Sequence, residues 1–252
     1  MIAALGMYDR PETAAANDHF WQAIREGLGE GPTSLTRDMD MWDIWQSPDL
    51  LFAQTCGMPY RTRLHGHVTL IGTPDYGLPG CPPGYYNSVF ITRTSDGDTT
   101  LADYAGKTLA YNESGSQSGW AAPMTHAAQH NIIFANHLES GTHHASAKAV
   151  ATGRADLAAL DALTWRNITR YDDFADQLRV VAQTTPTPAL PYITAPTRDA
   201  TAIANVIRIA IATLSAADAD TLSLRNLIDI PASAYLEVPT PPPPPQSTAI
   251  LG

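Results

Sequence analysis

Apolar residues follow two patterns along this chain, and each pattern predicts a different element. Short continuous apolar runs are typical of buried strands, whereas apolar residues spaced three or four positions apart are typical of helices. Strands are predicted at 2–7, 50–54, 68–72, 85–93, 108–111, 155–160 and 180–182. Helices are predicted at 17–28, 118–129, 145–152 and 201–214. In the last helix, Ile203, Ile207 and Ile211 stack on one face.

The order of these elements predicts an α/β fold. Strands and helices alternate throughout, which is typical of mostly parallel sheets flanked by helices. Segments 85–93 and 184–191 suit two crossings between two lobes, with both chain ends in one lobe. The predicted division is therefore lobe 1 at 1–88 and 190–238, lobe 2 at 89–189, and a tail at 239–252. Five consecutive prolines predict that the tail is an extended polyproline II segment outside any core.

Composition and charge narrow the classes of partner. The chain has 252 residues, of which 44% are hydrophobic and 16% charged, and it is long enough to bury a real core. Fifteen Lys and Arg against 25 Asp and Glu leave a net charge of −10, with no basic run. Nucleic acid and anionic membrane surfaces are therefore not expected partners. No apolar stretch approaches ~18 residues, so no transmembrane helix is expected. The first ten residues lack the pattern of a secretory signal.

The segment 112–120 carries candidate chemistry. It reads Asn-Glu-Ser-Gly-Ser-Gln-Ser-Gly-Trp and lies between a predicted strand and a predicted helix. The first N–H groups of a helix lack intrahelical partners and the helix dipole is positive there, so an anion is stabilised. Ser116 and Ser118 add hydroxyl donors, and the glycines let a ligand approach the backbone. The segment predicts an anion site without Lys or Arg, and an ordinary serine N-cap is the alternative.

A second polar segment, 141–161, carries His143 before a short helix and Asp161 at the end of the following strand. Ligands of α/β sheets lie beyond the carboxyl ends of strands, so both side chains are candidates for one cleft. A histidine can donate to an anion, and an aspartate can accept from an amine or hydroxyl of the same ligand. Adjacent histidines such as His143 and His144 are also typical of surface turns, and no metal site is predicted from them.

Segments 101–107, 112–119 and 141–161 together resemble the second lobe of the substrate-binding proteins of phosphonate- and phosphate-type ABC transporters. The resemblance implies a two-lobed type II periplasmic-binding-protein fold that closes on its ligand by a hinge motion. It also implies that Ser116, Gln117 and Ser118 hold an oxyanion, that His143 assists, and that Asp161 holds the far end of the ligand or helps the lobes to close. The family often has Thr at the middle position. The longer Gln117 therefore allows a larger anion, or a ligand other than a phosphonate.

For function, the resemblance implies transport of a small anionic or zwitterionic solute, delivered by a monomer to an ABC transporter permease, with no catalysis and no cofactor. The family is exported, so a periplasmic location is implied, although the missing signal leaves the cytoplasm open. One alternative is an enzyme on the same fold with His143 as base and Asp161 as orienting group. Another is a solute sensor that contacts a second protein through its proline tail.

The first lobe offers fewer family-like residues. Tyr8 follows the first strand and is a candidate aromatic wall of the ligand site, while Thr55 and Cys56 follow the second buried strand and could donate to a ligand. Stacking on an amine is also open to the aromatic side chains of Trp45, Tyr76 and Trp120, although packing is their usual role. Cys56 and Cys81 lie in predicted loops. A disulfide between them is possible and would favour export.

Overall fold

A computed structural model describes residues 1–97 and 99–245. Within these ranges the chain divides into two compact units. Unit 1 comprises Met1–Tyr86 and Pro186–Val238, and unit 2 comprises Asn87–Thr185 with the described residues from Pro239 onward. The sequence-based division put the boundaries at 88/89 and 189/190 and kept the tail apart. Its residues 246–252 lie outside the described part.

Helices and strands fill both units. The strands are β1 (Ile2–Ala4), β2 (Leu50–Gln54), β3 (Thr69–Asp75), β4 (Tyr85–Tyr86), β5 (Ser88–Arg93), β6 (Thr108–Tyr111), β7 (Asn136–Glu139), β8 (Leu157–Asp161), β9 (Leu178–Gln183), β10 (Thr187–Pro188), β11 (Tyr192–Thr194) and β12 (Asn226–Ile228). The α-helices are α1 (Ala14–Leu28), α2 (Met41–Trp45), α3 (Gly57–Pro59), α4 (Ala122–Gln129), α5 (His143–Ala151), α6 (Ala162–Tyr171), α7 (Ala200–Thr213), α8 (Ala216–Leu222) and α9 (Ala232–Leu236). Wide π-helical turns lie at Tyr60–Leu64 and Gln117–Ala121, and 3₁₀ turns lie at Thr94–Asp96, Leu101–Tyr104 and Ala175–Gln177.

The main sheet of unit 1 has the strand order β1-β2-β11-β3-β12. β1 is parallel to β2, whereas β11 is antiparallel to both β2 and β3, and β12 is antiparallel to β3. β1, β2 and β3 therefore run in the same direction, and their carboxyl ends share one edge. The segments that follow them carry the residues singled out in the first lobe.

The sheet of unit 2 has the order β7-β6-β8-β5-β9. β6 is parallel to β7 and β8, whereas β5 is antiparallel to β8 and β9. The α/β fold class is confirmed, but both sheets are mixed rather than mostly parallel. A strand that is covered on both faces is a continuous apolar run whether its neighbours are parallel or antiparallel. Its residues therefore do not reveal the direction in which it runs.

Packing on both faces explains why β8 is buried along its whole length. Ala158 and Leu160 belong to one core cluster, with residues of α5 and α6. Leu157 and Ala159 belong to a second cluster on the other face, which includes Ala127 of α4. Successive residues of a strand point to opposite faces, so β8 is held between two helical layers.

Several predicted elements are confirmed and others are redrawn. The predictions at 50–54 and 108–111 coincide with β2 and β6. The predicted strand 85–93 is divided at Asn87 into β4 and β5, where the chain passes from unit 1 to unit 2. Over the described residues, no single helix is long and apolar enough to cross a membrane. In this part of the chain, α7 and α8 reach the required length and hydropathy only when they are taken as one segment, and that segment is bent by 114° at the break between them.

Candidate anion-binding site

Three segments that are distant in sequence meet at the carboxyl edge of the parallel strands of unit 2. The serine-rich segment follows β6, His143 follows β7, and Asp161 ends β8. Backbone hydrogen bonds join the first two segments, because Ser140 N–H donates to the Tyr111 carbonyl (2.9 Å) and Gly141 N–H to the Asn112 carbonyl (2.8 Å). The structure thus brings together the residues that the sequence assigned to an anion site.

The anion loop, residues 112–119, leads into the π-helical turn Gln117–Ala121. The Ser116 hydroxyl oxygen accepts from Gly119 N–H (3.0 Å), and the Ser116 carbonyl accepts from Trp120 N–H (3.2 Å) and Ala121 N–H (3.0 Å). Ser116 is therefore the N-cap of this turn, as the alternative interpretation had it. Its hydroxyl keeps a proton that can be donated to a further acceptor. Gln117 and Ser118 are buried beside it.

His143 supports the loop from the first turn of α5. Its Nε2 lies 2.9 Å from the Ser118 Oγ. Burial, partly offset by the nearby Ala159 carbonyl, lowers the pKa of His143 to about 4, so the ring is neutral near pH 7. The neutral ring carries one proton. With it on Nε2, His143 donates to Ser118 and the Ser118 O–H can point at an anion; with it on Nδ1, Nε2 accepts from the Ser118 O–H.

Asp161 is buried at the end of β8 and caps α6. Its Oδ1 accepts from Leu163 N–H (2.7 Å) and Thr164 N–H (3.0 Å). Among the described residues, the His143 side chain is hydrogen-bonded to Ser118 rather than to Asp161. The base and orienting group of the enzyme alternative are therefore not hydrogen-bonded to each other.

Two polar side chains at this edge were not assigned a role from the sequence. The Oδ1 of Asn112 is buried and has no hydrogen-bond partner among the described residues. A Cβ at Gly119 would overlap that oxygen, so the glycine makes room for Asn112. Ser88 also has a buried Oγ without a partner in the described chain, and it lies opposite Asp161 in the register of β5 and β8. Asn112 belongs to the serine-rich motif, whereas Ser88 left no signal in the sequence.

In unit 1, Tyr8 belongs to an aromatic cluster that follows the carboxyl ends of β1 and β3. Its ring meets Tyr76 edge-on at 5.4 Å between centroids. Gln54 donates from Nε2 to the Tyr76 hydroxyl oxygen (2.7 Å) and to the Leu190 carbonyl (3.0 Å). These three side chains line part of a cavity of about 20 Å³, which is enough for one water molecule.

Thr55 and Cys56 follow β2. Thr55 is fully buried, and its N–H donates to the Pro191 carbonyl (3.1 Å). Its Oγ1 has no hydrogen-bond partner in residues 1–97 and 99–245, which is costly for a buried hydroxyl. Cys56 directly precedes α3 and is not joined to Cys81 by a disulfide. Trp45 donates from Nε1 to the Gln54 carbonyl (2.9 Å) and packs in the core.

Comparison with known proteins identifies a family. Residues 49–232 match the family model described as the periplasmic substrate-binding protein of phosphonate ABC transporters. A comparison with curated protein sequences gave no match.

Solved structures share the fold. A binding protein component of a phosphonate ABC transporter from Pseudomonas aeruginosa is 17% identical, with a TM-score of 0.69 over 90% of this chain and 80% of that chain. PhnD1 from Prochlorococcus marinus, in complex with methylphosphonate, is 14% identical, with a TM-score of 0.69 over 93% and 94%. XAC2383 from Xanthomonas citri, bound to ATP, is 16% identical, with a TM-score of 0.64 over 94% and 98%.

Proposed function

Because the chain belongs to the family of periplasmic substrate-binding proteins of phosphonate ABC transporters, we propose that its anion loop binds the phosphonate or phosphate group of a small solute. This family consists of transport components and not of enzymes. The observation that carries the proposal is the buried turn that holds Ser116, Gln117 and Ser118 beside His143, whose Nε2 lies 2.9 Å from the Ser118 Oγ.

The proposed contacts differ along the loop. Ser116 and Ser118 donate from their hydroxyls, and Gln117 donates from its longer amide. Asp161, whose Oδ1 accepts from the first turn of α6, also accepts from an amine or hydroxyl of the ligand. In unit 1 we propose Tyr8, Thr55 and Cys56 as ligand contacts. This proposal uses only the contacts that these residues make within unit 1. The buried Oγ1 of Thr55 supports this assignment, because a ligand would give it a partner.

The proposed ligands are alkylphosphonates, zwitterionic aminoalkylphosphonates and phosphate esters. PhnD1 is in complex with methylphosphonate and XAC2383 is bound to ATP, so both a phosphonate and a nucleotide occur as ligands on this fold. We further propose that the protein works as a monomer in the periplasm and passes its solute to a permease. Cell fractionation tests the location, with recovery in the periplasmic fraction as the expected result.

A thermal-shift screen tests the ligand class. The probes are methylphosphonate, inorganic phosphate, ATP, an alkylsulfonate and choline. A true ligand at ~1,000 times its dissociation constant adds about 4 kcal/mol of stability. In a chain of this size that raises the Tm by roughly 8–16 °C. The expected result is a large shift with one or more of the phosphorus-containing anions. A shift with choline alone, or none with any anion, would contradict the proposal.

A further inference from the structure

The described part of the proline segment lies against unit 2. Beyond Val238, the end of unit 1, the Pro242 carbonyl accepts a hydrogen bond from Trp120 Nε1–H (2.9 Å). Pro241 and Pro244 are half-buried, whereas Pro242 and Pro243 between them are exposed. A spacing of three residues is the repeat of a polyproline II helix, so one side of the segment faces the protein.

Trp120 is a suitable receptor for such a segment. Its indole is buried and packs against the rings of Tyr111 (5.0 Å between centroids) and His137 (5.1 Å). An indole N–H can only donate, and a buried one needs an acceptor. Proline has no backbone N–H, so a run of prolines offers carbonyl acceptors without competing donors. Pairing of aromatic side chains with polyproline II segments is a recurrent mode of recognition.

Trp120 also belongs to the turn that carries the anion loop. The π-helical turn Gln117–Ala121 contains Gln117, Ser118 and Trp120, and the Trp120 backbone N–H donates to the Ser116 carbonyl. A restraint on the indole therefore acts on the backbone that orients the two neighbouring ligand-binding side chains.

We propose that residues 239–245 position the anion loop, with the Pro242 carbonyl holding Trp120 and Trp120 holding the turn that bears Gln117 and Ser118. Trp120 is a positioning residue in this arrangement, since its indole N–H is directed at Pro242 and not at a ligand. The effect on ligand affinity rests on the proposed function, whereas the ordering of the loop does not. A loop held in its binding-competent state more of the time binds with higher apparent affinity.

Four chains test the inference. One ends at Val238, and its matched control ends at Pro245 and keeps every described contact of the segment. A third carries Gly and Ser in place of 239–245 at equal length. The fourth is Trp120→Phe, which keeps a ring and removes the indole donor. Circular dichroism establishes that each chain folds.

The first measurement needs no ligand. Amide hydrogen exchange of Gly119, Trp120 and Ala121 is compared with that of the full chain. We expect exchange to be roughly two- to tenfold faster in the chain ending at Val238, in the Gly-Ser chain and in Trp120→Phe, the size of one neutral hydrogen bond. The chain ending at Pro245 is expected to behave like the full protein. Unchanged exchange in the shortened chain would overturn the inference.

The second measurement is calorimetric affinity for methylphosphonate and inorganic phosphate. We expect the same three variants to bind more weakly by a similar factor. Faster loop exchange with unchanged affinity would overturn the positioning role. If the full chain bound neither probe while loop exchange still responded to the deletion, the proposed function would be refuted and the ordering of the loop by the segment would be confirmed.

Discussion

The carboxyl edges of the two sheets carry different chemistry. In unit 2, Ser118 and His143 are hydrogen-bonded to each other, and the Ser116 hydroxyl accepts from Gly119 N–H in the same helical turn. In unit 1, the corresponding edge presents Tyr8 and Tyr76 edge-on and a buried Thr55 hydroxyl without a partner in the described chain. Two mixed five-stranded sheets therefore carry a donor-rich edge in one unit and an aromatic edge in the other.

This difference suggests how the two edges contribute to binding. Hydrogen bonds to a charged group are worth roughly 1.5–3 kcal/mol each and depend on direction. Aromatic contact depends on area and tolerates different ligands. We expect unit 2 to set the charge class of the ligand and unit 1 to set its shape. The predictions below separate these contributions.

The largest expected effect is on anion binding in the double variant Ser116→Ala/Ser118→Ala. Loss of two hydrogen bonds to a charged group weakens binding of methylphosphonate by more than about 100-fold, as measured by isothermal titration. Ser114→Ala is the matched control, because Ser114 is an exposed serine of the same loop. Affinity within twofold of the unmodified protein in the double variant would place the anion elsewhere.

The next effect concerns the pH dependence of folding. Unfolded His143 binds a proton below about pH 6.5, whereas burial holds its folded pKa near 4. As the pH falls from 6.5 to about 4, the unfolded state takes up the proton and the folded state does not. The free energy of unfolding therefore decreases over this range. The loss amounts to about 2–3 kcal/mol.

Urea unfolding of His143→Gln measures this contribution. The variant keeps a polar partner for Ser118, and its glutamine does not titrate. Between pH 7 and pH 4, its free energy of unfolding is expected to decrease by about 2–3 kcal/mol less than that of the unmodified protein. His144→Gln is the control, since its half-exposed ring pairs with Asp172 (3.2 Å) on the surface. Parallel pH profiles for the unmodified protein and His143→Gln would show that the buried ring carries no such penalty.

The smallest effect compares two buried threonines of unit 1. Thr73 Oγ1 lies 2.6 Å from the Tyr235 hydroxyl, whereas Thr55 Oγ1 has no partner in the described residues. Thr73→Val is expected to lower the free energy of unfolding by about 1 kcal/mol, whereas Thr55→Val is expected to leave it unchanged. Thr55→Val should nevertheless weaken ligand binding. Equal destabilisation of the two variants in chemical denaturation would argue against a ligand role for Thr55.

The sequence predicted best those elements whose own residues determine them. β2 and β6 are continuous apolar runs buried by both neighbours, and α1 ends at Gly29, whose φ of 69° is a left-handed cap that glycine favours. The serine-rich motif was visible because its serines and glycines lie together between a predicted strand and a predicted helix, although a single serine before a helix is common. The family resemblance then joined it to His143 and Asp161.

Other features depend on partners that no local pattern reveals. β11 and β12 are three residues long and exist through antiparallel pairing with β2 and β3. The capping role of Asp161, and the hydroxyls of Thr55 and Ser88 that have no hydrogen-bond partner among the described residues, follow from packing between distant segments. The proline run was predicted as extended, but its contact with Trp120 required the fold.

The connectivity of the chain has a consequence for protein engineering. Asn87–Thr185 is one uninterrupted piece inserted into unit 1. Tyr86, which directly precedes it, pairs with Thr187, the second residue after it, in the two-stranded sheet of β4 and β10. A gene with this piece removed could be rejoined by a short linker, and the piece itself could be transplanted as a module. Such a module would lack Pro242, and a faithful transplant must append the proline segment as a second fragment.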